Sequence, residues 1–197
     1  MGCKTETWPV RHAGCVGVEV KDVEKGRSCR SELVFVALGA NLGDSNSTMI
    51  EAARQLEKLS DKPLLRSFLW RTSPVDCPAG SPSFLNAVVG LVPRARETPE
   101  TLLAQLQAME KALGRKPKKI LNESRALDLD LIAFGNQTRA TMELTLPHPR
   151  AHLRRFVLQP LSQIAPELIL PHQTKTVSQL LEELPQDEQM ANLGLFE

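Results

Sequence analysis

The apolar residues of the chain change period in a set order, and few folds accommodate that order. A short β-branched run at 33–39, LVFVALG, gives way to Met49, Ala52, Ala53, Leu56 and Leu59 at helical spacing, so 46–60 is predicted as an amphipathic helix. Residues 64–72 read as a second strand and FLNAVVGLV, at 84–92, as a third, with the Pro- and Gly-bearing SPVDCPAGSPS as the loop between them. Thr98, Pro99 and Glu100 open a second helix whose Leu102, Leu106, Met109 and Leu113 share one face before Gly114 ends it. ALDLDLIAF, at 126–134, supplies a fourth strand. The order β-α-β-β-α-β predicts an α+β chain with a ferredoxin-like core and a mainly antiparallel sheet. Beyond it, LTLPHPRAHLRRFVLQPLSQIAPEL and a short helical pattern around Val177, Leu180, Leu181 and Leu184 must add to that core.

The length of 197 residues suits one core rather than two. Residues 1–31 carry Glu6, Glu19, Asp22 and Glu24 without a long apolar run, and are expected to be a disordered extension. Residues 32–185 are the expected domain and 186–197 a C-terminal tail. With 42% hydrophobic and 24% charged residues and no run of about 18 apolar residues, a membrane protein is not expected. A net charge of +1 speaks against a nucleic-acid partner. Four cysteines without CxxC spacing fit a reducing, cytoplasmic setting.

The fourth strand holds an anomaly. Side chains alternate in a strand, so Leu127, Leu129 and Leu131 share one face while Asp128 and Asp130 stand together on the other. At a rise of roughly 3.3 Å per residue their backbones are about 6.6 Å apart, and at an effective dielectric of about 20 the two charges repel by roughly 2.5 kcal/mol. A cation between them would relieve that cost. Directly upstream, GRKPKKILNESR sets Arg115, Lys116, Lys118, Lys119 and Arg125 against one acid, Glu123. Metal-bound polyphosphate reconciles both signs: hard divalent ions take one or two carboxylates and phosphate oxygens, and arginine forks hold the remaining charge. A solvated charged loop beside an exposed strand face is the plain alternative. There is no GxxxxGK[ST], GxGxxG or protein-kinase set. His148, in LPHPR and followed by Arg150, His152, Arg154 and Arg155, is a candidate phosphate contact.

Taken in order, ALGANLGD, RTSPVD, FLNAVV, MEKALGR, RALDLDLIAFG and LPHPRAHLRRFVLQPLSQIAP resemble the 6-hydroxymethyl-7,8-dihydropterin pyrophosphokinases, ATP-dependent enzymes of folate biosynthesis. The resemblance covers about residues 33–185 and implies a three-layer αβα elaboration of the ferredoxin-like core. It implies that Asp128 and Asp130 hold two Mg²⁺ ions on ATP, that Arg115, Arg125 and Arg154 engage the triphosphate and that His148 contacts phosphate. Gln107, Glu110, Leu131 and Thr145 fall at positions around the nucleotide. Thr72, Ser73, Pro74 and Val75 would wall the pterin, Asn86 would read its polar edge, and Phe84 and Phe156 would sandwich it. Aromatic faces suit a flat heterocycle, and an amide both donates and accepts as a pterin edge requires. Phe156 equally suits a place in the core.

The implied reaction moves the β,γ-pyrophosphoryl unit of ATP to the 6-hydroxymethyl oxygen and releases AMP. The expected protein is a monomer that passes its product to dihydropteroate synthase. Pro117, Asn122 and the Glu123-Ser124 pair depart from residues common in the family loop. Two other readings stay open on the residues alone: a ferredoxin-like binding or regulatory module without turnover, and a DxD-dependent nucleotidyl or glycosyl transferase.

Overall fold

The computed structural model describes residues 33–74, 80–114, 125–186 and 189–196. Its sheet runs β5-β1-β4-β3-β8, built from β1 (Val34–Ala40), β3 (Trp70–Thr72), β4 (Phe84–Leu91), β5 (Asp128–Phe134) and β8 (Met190–Asn192), with β2 (Leu65–Arg66) also on β4. Every pairing is antiparallel. Helices α1 (Ser45–Glu57) and α2 (Pro99–Ala112) cover one face; α3 (Arg155–Ile164) and α4 (Val177–Glu183) cover the other. The ferredoxin-like order and the αβα layering are those expected. A small hairpin of β6 (Arg139–Ala140) and β7 (Thr145–Leu146) follows β5.

Alternation in the interior strand β1 writes both cores. Val34, Val36, Leu38 and Ala40 of β1 face α1 and α2 with Met49, Leu56, Leu102 and Leu106, while Phe35 faces α3 and α4 with Val157, Leu158 and Leu161. Asp44 caps α1 by accepting from the Ser47 backbone N–H at 3.1 Å, and Thr98 opens α2 in a reciprocal cap with Thr101 and Pro99 in the first turn. The alternation of β5 is broken once, between the positions facing Phe35 and Val36, where Ile132 is an extra residue. Strict alternation from Asp128 would place Phe134 on the aspartate face. The bulge turns Phe134 to the α1–α2 core instead, where it is 5% exposed.

Two expectations are corrected. The strand predicted over 64–72 is two pieces, because the backbone leaves β4 at 67–69: the buried Ser67 hydroxyl accepts from the Val88 N–H at 2.9 Å, and Phe68 N–H donates to the Gln163 side chain at 2.9 Å. The expected tail contains strand β8, which lies outside β3 in the register Thr72↔Met190, and Phe196 beyond it is 3% exposed. The sheet therefore extends past residue 185. No helix among the described residues is long and apolar enough to cross a membrane.

Candidate active site

At one end of the sheet face that carries α3 and α4, the sequence places small residues in the centre. Gly39 of β1 lies between Asn86 of β4 and Asp128 of β5, and Ala37 lies between Val88 and Asp130. A Cβ on Gly39 would stand 3.3 Å from Asn86 Oδ1 and 4.0 Å from Asp128 Cβ. Gly39 is thus a gap between an amide and a carboxylate whose strands are about 10 Å apart. The local pattern puts this glycine in a strand-to-helix turn; only the register of three strands shows its use. Gly39→Ala is expected to push the Asn86 amide aside, raising KM for a ligand held by Asn86 about tenfold by loss of one good hydrogen bond, with thermal stability little changed. Steady-state kinetics with each substrate varied in turn checks this.

On one side of the gap Asp128 and Asp130 are presented as expected. Arg125 Nη1 lies 2.5 Å from Asp128 Oδ2, and Asp130 Oδ2 is 3.8 Å from Arg154 Nη1 and 4.0 Å from His148 Nε2. Burial and the neighbouring Asp128 charge push the Asp130 carboxyl up from its ordinary value, against the pull of His148, Arg154 and Arg125. Burial, with Arg154 and Arg150 assisting, holds His148 below the usual imidazole value even though Asp130 favours its charged form. The His148 Nδ1 accepts the Arg150 backbone N–H at 3.2 Å, so in the neutral ring the proton sits on Nε2, facing Asp130. His148 itself is seated by its backbone N–H on the Ile132 carbonyl at 2.8 Å, the bulge residue of β5.

Asn41 ties the entrances to the site together. Its side chain accepts from Arg125 N–H at 2.8 Å and donates to Pro82 O at 3.3 Å, and its own backbone N–H donates to Arg125 O at 3.1 Å. The chain entering β5 and the chain entering β4 are therefore held to the end of β1. Nothing in the local pattern of LGANLGD indicates this, because these partners are distant in sequence.

A cleft of about 260 Å³ opens beside Asp130, lined by Leu103, Leu129, Leu131, Met142, Leu144, Thr145 and Pro149, with Asp130, Glu143 and His148 as its charged or titratable lining. Leu131 and Thr145, expected at positions around the nucleotide, both line this cleft. Leu103, Met142 and Leu144 are additions to the expected set, since apolar residues on a helix and a hairpin carry no chemical signature. Gln107 lies on the exposed side of α2. Glu110 is 4% exposed and accepts the Leu129 backbone N–H at 2.7 Å, so it grips the outer edge of β5 between the two aspartates.

Across the gap, Asn86 Nδ2 donates to Thr72 Oγ1 at 2.8 Å, and both residues are buried. Phe84 and Ser73 are half-buried and Pro74 is exposed. Phe156, in the first turn of α3, is half-buried against the α3–α4 core, and the Arg154 guanidinium lies 5.5 Å from its ring centroid. Arg154 precedes the first residue of α3, which has no side-chain cap there, an arrangement that favours anions. Arg115 and Val75 lie outside the described residues.

The donor set fits a hard divalent ion. No group of three or more His, Cys, Asp or Glu side chains forms a metal cage among the described residues. Two carboxylates beside guanidinium groups leave the remaining ligands to phosphate and water, as Mg²⁺ requires.

Comparison with known proteins shows the family of the chain. The family model described as 7,8-dihydro-6-hydroxymethylpterin-pyrophosphokinase matches residues 35–166. The 2-amino-4-hydroxy-6-hydroxymethyldihydropteridine pyrophosphokinase of Haemophilus influenzae is 34% identical over 76% of this chain and 89% of its own length. The enzyme of the same name from Pseudomonas aeruginosa is 37% identical over 70% of this chain and 83% of its own. The folic acid synthesis protein fol1 of Pneumocystis carinii is 34% identical over 76% of this chain, which spans only 20% of that larger protein. Among solved structures, Plasmodium falciparum HPPK-DHPS wild type with pteroate superposes with a TM-score of 0.60 at 14% identity, over 77% of this chain and 42% of that one, a likeness of fold. The family match takes in β1, the gap at Gly39, the paired aspartates and the arginine that opens α3, and the chain belongs to the 7,8-dihydro-6-hydroxymethylpterin-pyrophosphokinase family.

Proposed function

We propose that the protein transfers the β,γ-pyrophosphoryl unit of ATP to the 6-hydroxymethyl group of 6-hydroxymethyl-7,8-dihydropterin, giving the pterin diphosphate and AMP. The observation that carries the reading is the convergence of Arg125 on Asp128 and of Arg154 and His148 on Asp130, beside the cleft and one glycine away from the Thr72–Asn86 pair. The cleft would take the adenosine against Leu131 and Thr145, with Gln107 at its outer rim. Glu110, bonded to the Leu129 N–H, would serve by holding β5 in place.

Asn86 orients the acceptor with its free carbonyl while its amide is held by Thr72. Ser73 and Pro74 extend that wall, Val75 is a further proposed pterin contact, and Phe84 and Phe156 offer ring faces to the heterocycle. Arg125, Arg154 and Arg115 hold phosphate oxygens, and His148 donates from Nε2. A new bond forms between the hydroxymethyl oxygen and the β-phosphorus as the bond from the β-phosphorus to the AMP oxygen breaks, and the hydroxyl proton is released. Asp128 and Asp130 would hold two Mg²⁺ ions, which supply neutralisation of phosphate charge and polarisation of the hydroxyl. Positioning and charge neutralisation carry most of the rate in phosphoryl transfer, so the reaction does not call for a strong base beside the gap. A cytoplasmic monomer that hands its product to a dihydropteroate synthase completes the proposal.

Incubation with Mg·ATP and 6-hydroxymethyl-7,8-dihydropterin, with the nucleotide product identified by chromatography, tests it. AMP in equal amount to pterin diphosphate is expected. ADP would contradict pyrophosphoryl transfer, and ATP binding without a pterin-dependent product would favour a binding module.

A further inference from the structure

The acceptor wall rests on a strand with little support of its own. Strand β3 is three residues long, and before it the regular strand pairing with β4 is interrupted at 67–69. Its far edge is covered by the C-terminal stretch 189–196, in the register Trp70↔Asn192, Arg71↔Ala191 and Thr72↔Met190. Further bonds extend this pairing at both ends: Ser73 N–H donates to Gln189 O at 3.1 Å, Leu193 N–H to Leu69 O at 2.8 Å and Leu69 N–H to Gly194 O at 2.8 Å. Past the strand, Gly194 takes a positive φ of 85° in a turn closed by its N–H donating to Asn192 Oδ1 at 2.8 Å. That turn delivers Phe196 to the α1–α2 core, which Leu69 also joins.

We infer that residues 189–196 are a strap that positions Thr72 and Ser73 for the pterin acceptor, and that acceptor affinity depends on it. The inference rests on the acceptor reading of Thr72 and Asn86 given above. Two features separate it from a general contribution to stability. The strap bonds the two residues flanking the Thr72 position, Arg71 by register and Ser73 by its N–H, so its loss loosens the partner of Asn86 directly. It also lies at the opposite edge of the sheet from β5, four strand spacings or about 19 Å away, so the nucleotide side is remote from it.

Three strap variants, one acceptor-wall variant and one measurement on the intact protein test this. A chain ending at Gln186 removes the strap. Phe196→Ala removes only its anchor. Leu193→Pro removes the N–H bonded to Leu69 at a side chain 41% exposed, so the core is untouched. Each folded variant is expected to show KM for the pterin raised about tenfold or more, with KM for Mg·ATP within about twofold of the intact chain, the loss of affinity that a loosened hydrogen-bonding pair entails. Equal changes in both KM values, or none, would overturn the inference. Because coupling is reciprocal, saturating pterin is expected to slow amide hydrogen exchange at Leu69 and Leu193 in the unmodified protein. Unchanged exchange there would overturn the inference even if no variant folds. Asn86→Ala separates the two readings: if it leaves pterin KM unchanged, the acceptor wall is misassigned, whereas a raised KM for Asn86→Ala alone sinks the strap.

Discussion

Asp130→Asn is expected to lower turnover about a thousandfold while leaving the metal-free protein at least as stable as the parent. The two halves of that result share one cause. Asp130 is the carboxylate whose proton affinity is raised by burial and by Asp128, so its charge is unfavourable where it sits. A carboxyl with a raised pKa in the folded state contributes stability only while protonated, below the ordinary carboxylate value near 3.8; that contribution disappears as pH rises through the folded pKa. At neutral pH the ionised group opposes folding, and a neutral isostere removes the opposition. In the proposed function the same charge would neutralise a cation on the phosphates, where several kcal/mol of transition-state stabilisation are at stake, and about 4 kcal/mol corresponds to the thousandfold loss. The check is thermal unfolding of parent and variant in chelator, then with Mg²⁺ and a non-hydrolysable ATP analogue. The midpoint should be equal or higher for the variant in chelator, and the ligands should raise it for the parent only. An unimpaired turnover, or a ligand-induced shift equal in both proteins, would remove Asp130 from the metal site.

This conflict between charge and folding is legible in the residues RALDLDLIAFG themselves, because period-two alternation puts the two acids on one face regardless of what packs around them. The element order and the three-layer arrangement are legible for a related reason: local periodicity sets the elements, and the ordered motifs set the family. The proposed acceptor side is less so. Thr72 and Asn86 are neighbours only because β3 pairs with β4 in one register, and Gly39 matters only because it is flanked by both Asn86 and Asp128. Such placement depends on contacts across the chain, like that of Asn41 with Arg125, 84 positions on, which no window of sequence reports. The bulge at Ile132 is hidden because an extra apolar residue in an apolar run leaves the pattern looking unbroken. Strand β8 is hidden because three residues without a long apolar run become a strand only when an edge is there to receive them.

Arg154 is where the two halves of the site meet, and its substitution should separate them. The side chain lies 3.8 Å from Asp130 and 5.5 Å from the Phe156 ring, at the start of the helix that presents Phe156. If it acts mainly on phosphate, charge and fork geometry are what count. Arg154→Met, which keeps a long stem over the ring but no charge, is then expected to lower kcat about a thousandfold, the lower end of what an arginine contributes to phosphoryl transfer. Arg154→Lys restores the charge as a point without the bidentate fork and is expected to recover only part of that, remaining about ten- to a hundredfold below the parent. In both variants KM for the pterin should stay within about fivefold, since a single partly exposed cation–π contact is worth about 0.5–1 kcal/mol. The opposite pattern, kcat preserved with pterin KM raised strongly in Arg154→Met, would make Arg154 a clamp on the aromatic ring and leave Arg125 and Arg115 as the phosphate-binding groups. Steady-state kinetics with both substrates varied, set beside the AMP yield at single turnover, decides between these outcomes, because a phosphate contact is felt in the chemical step and a ring clamp only in acceptor binding.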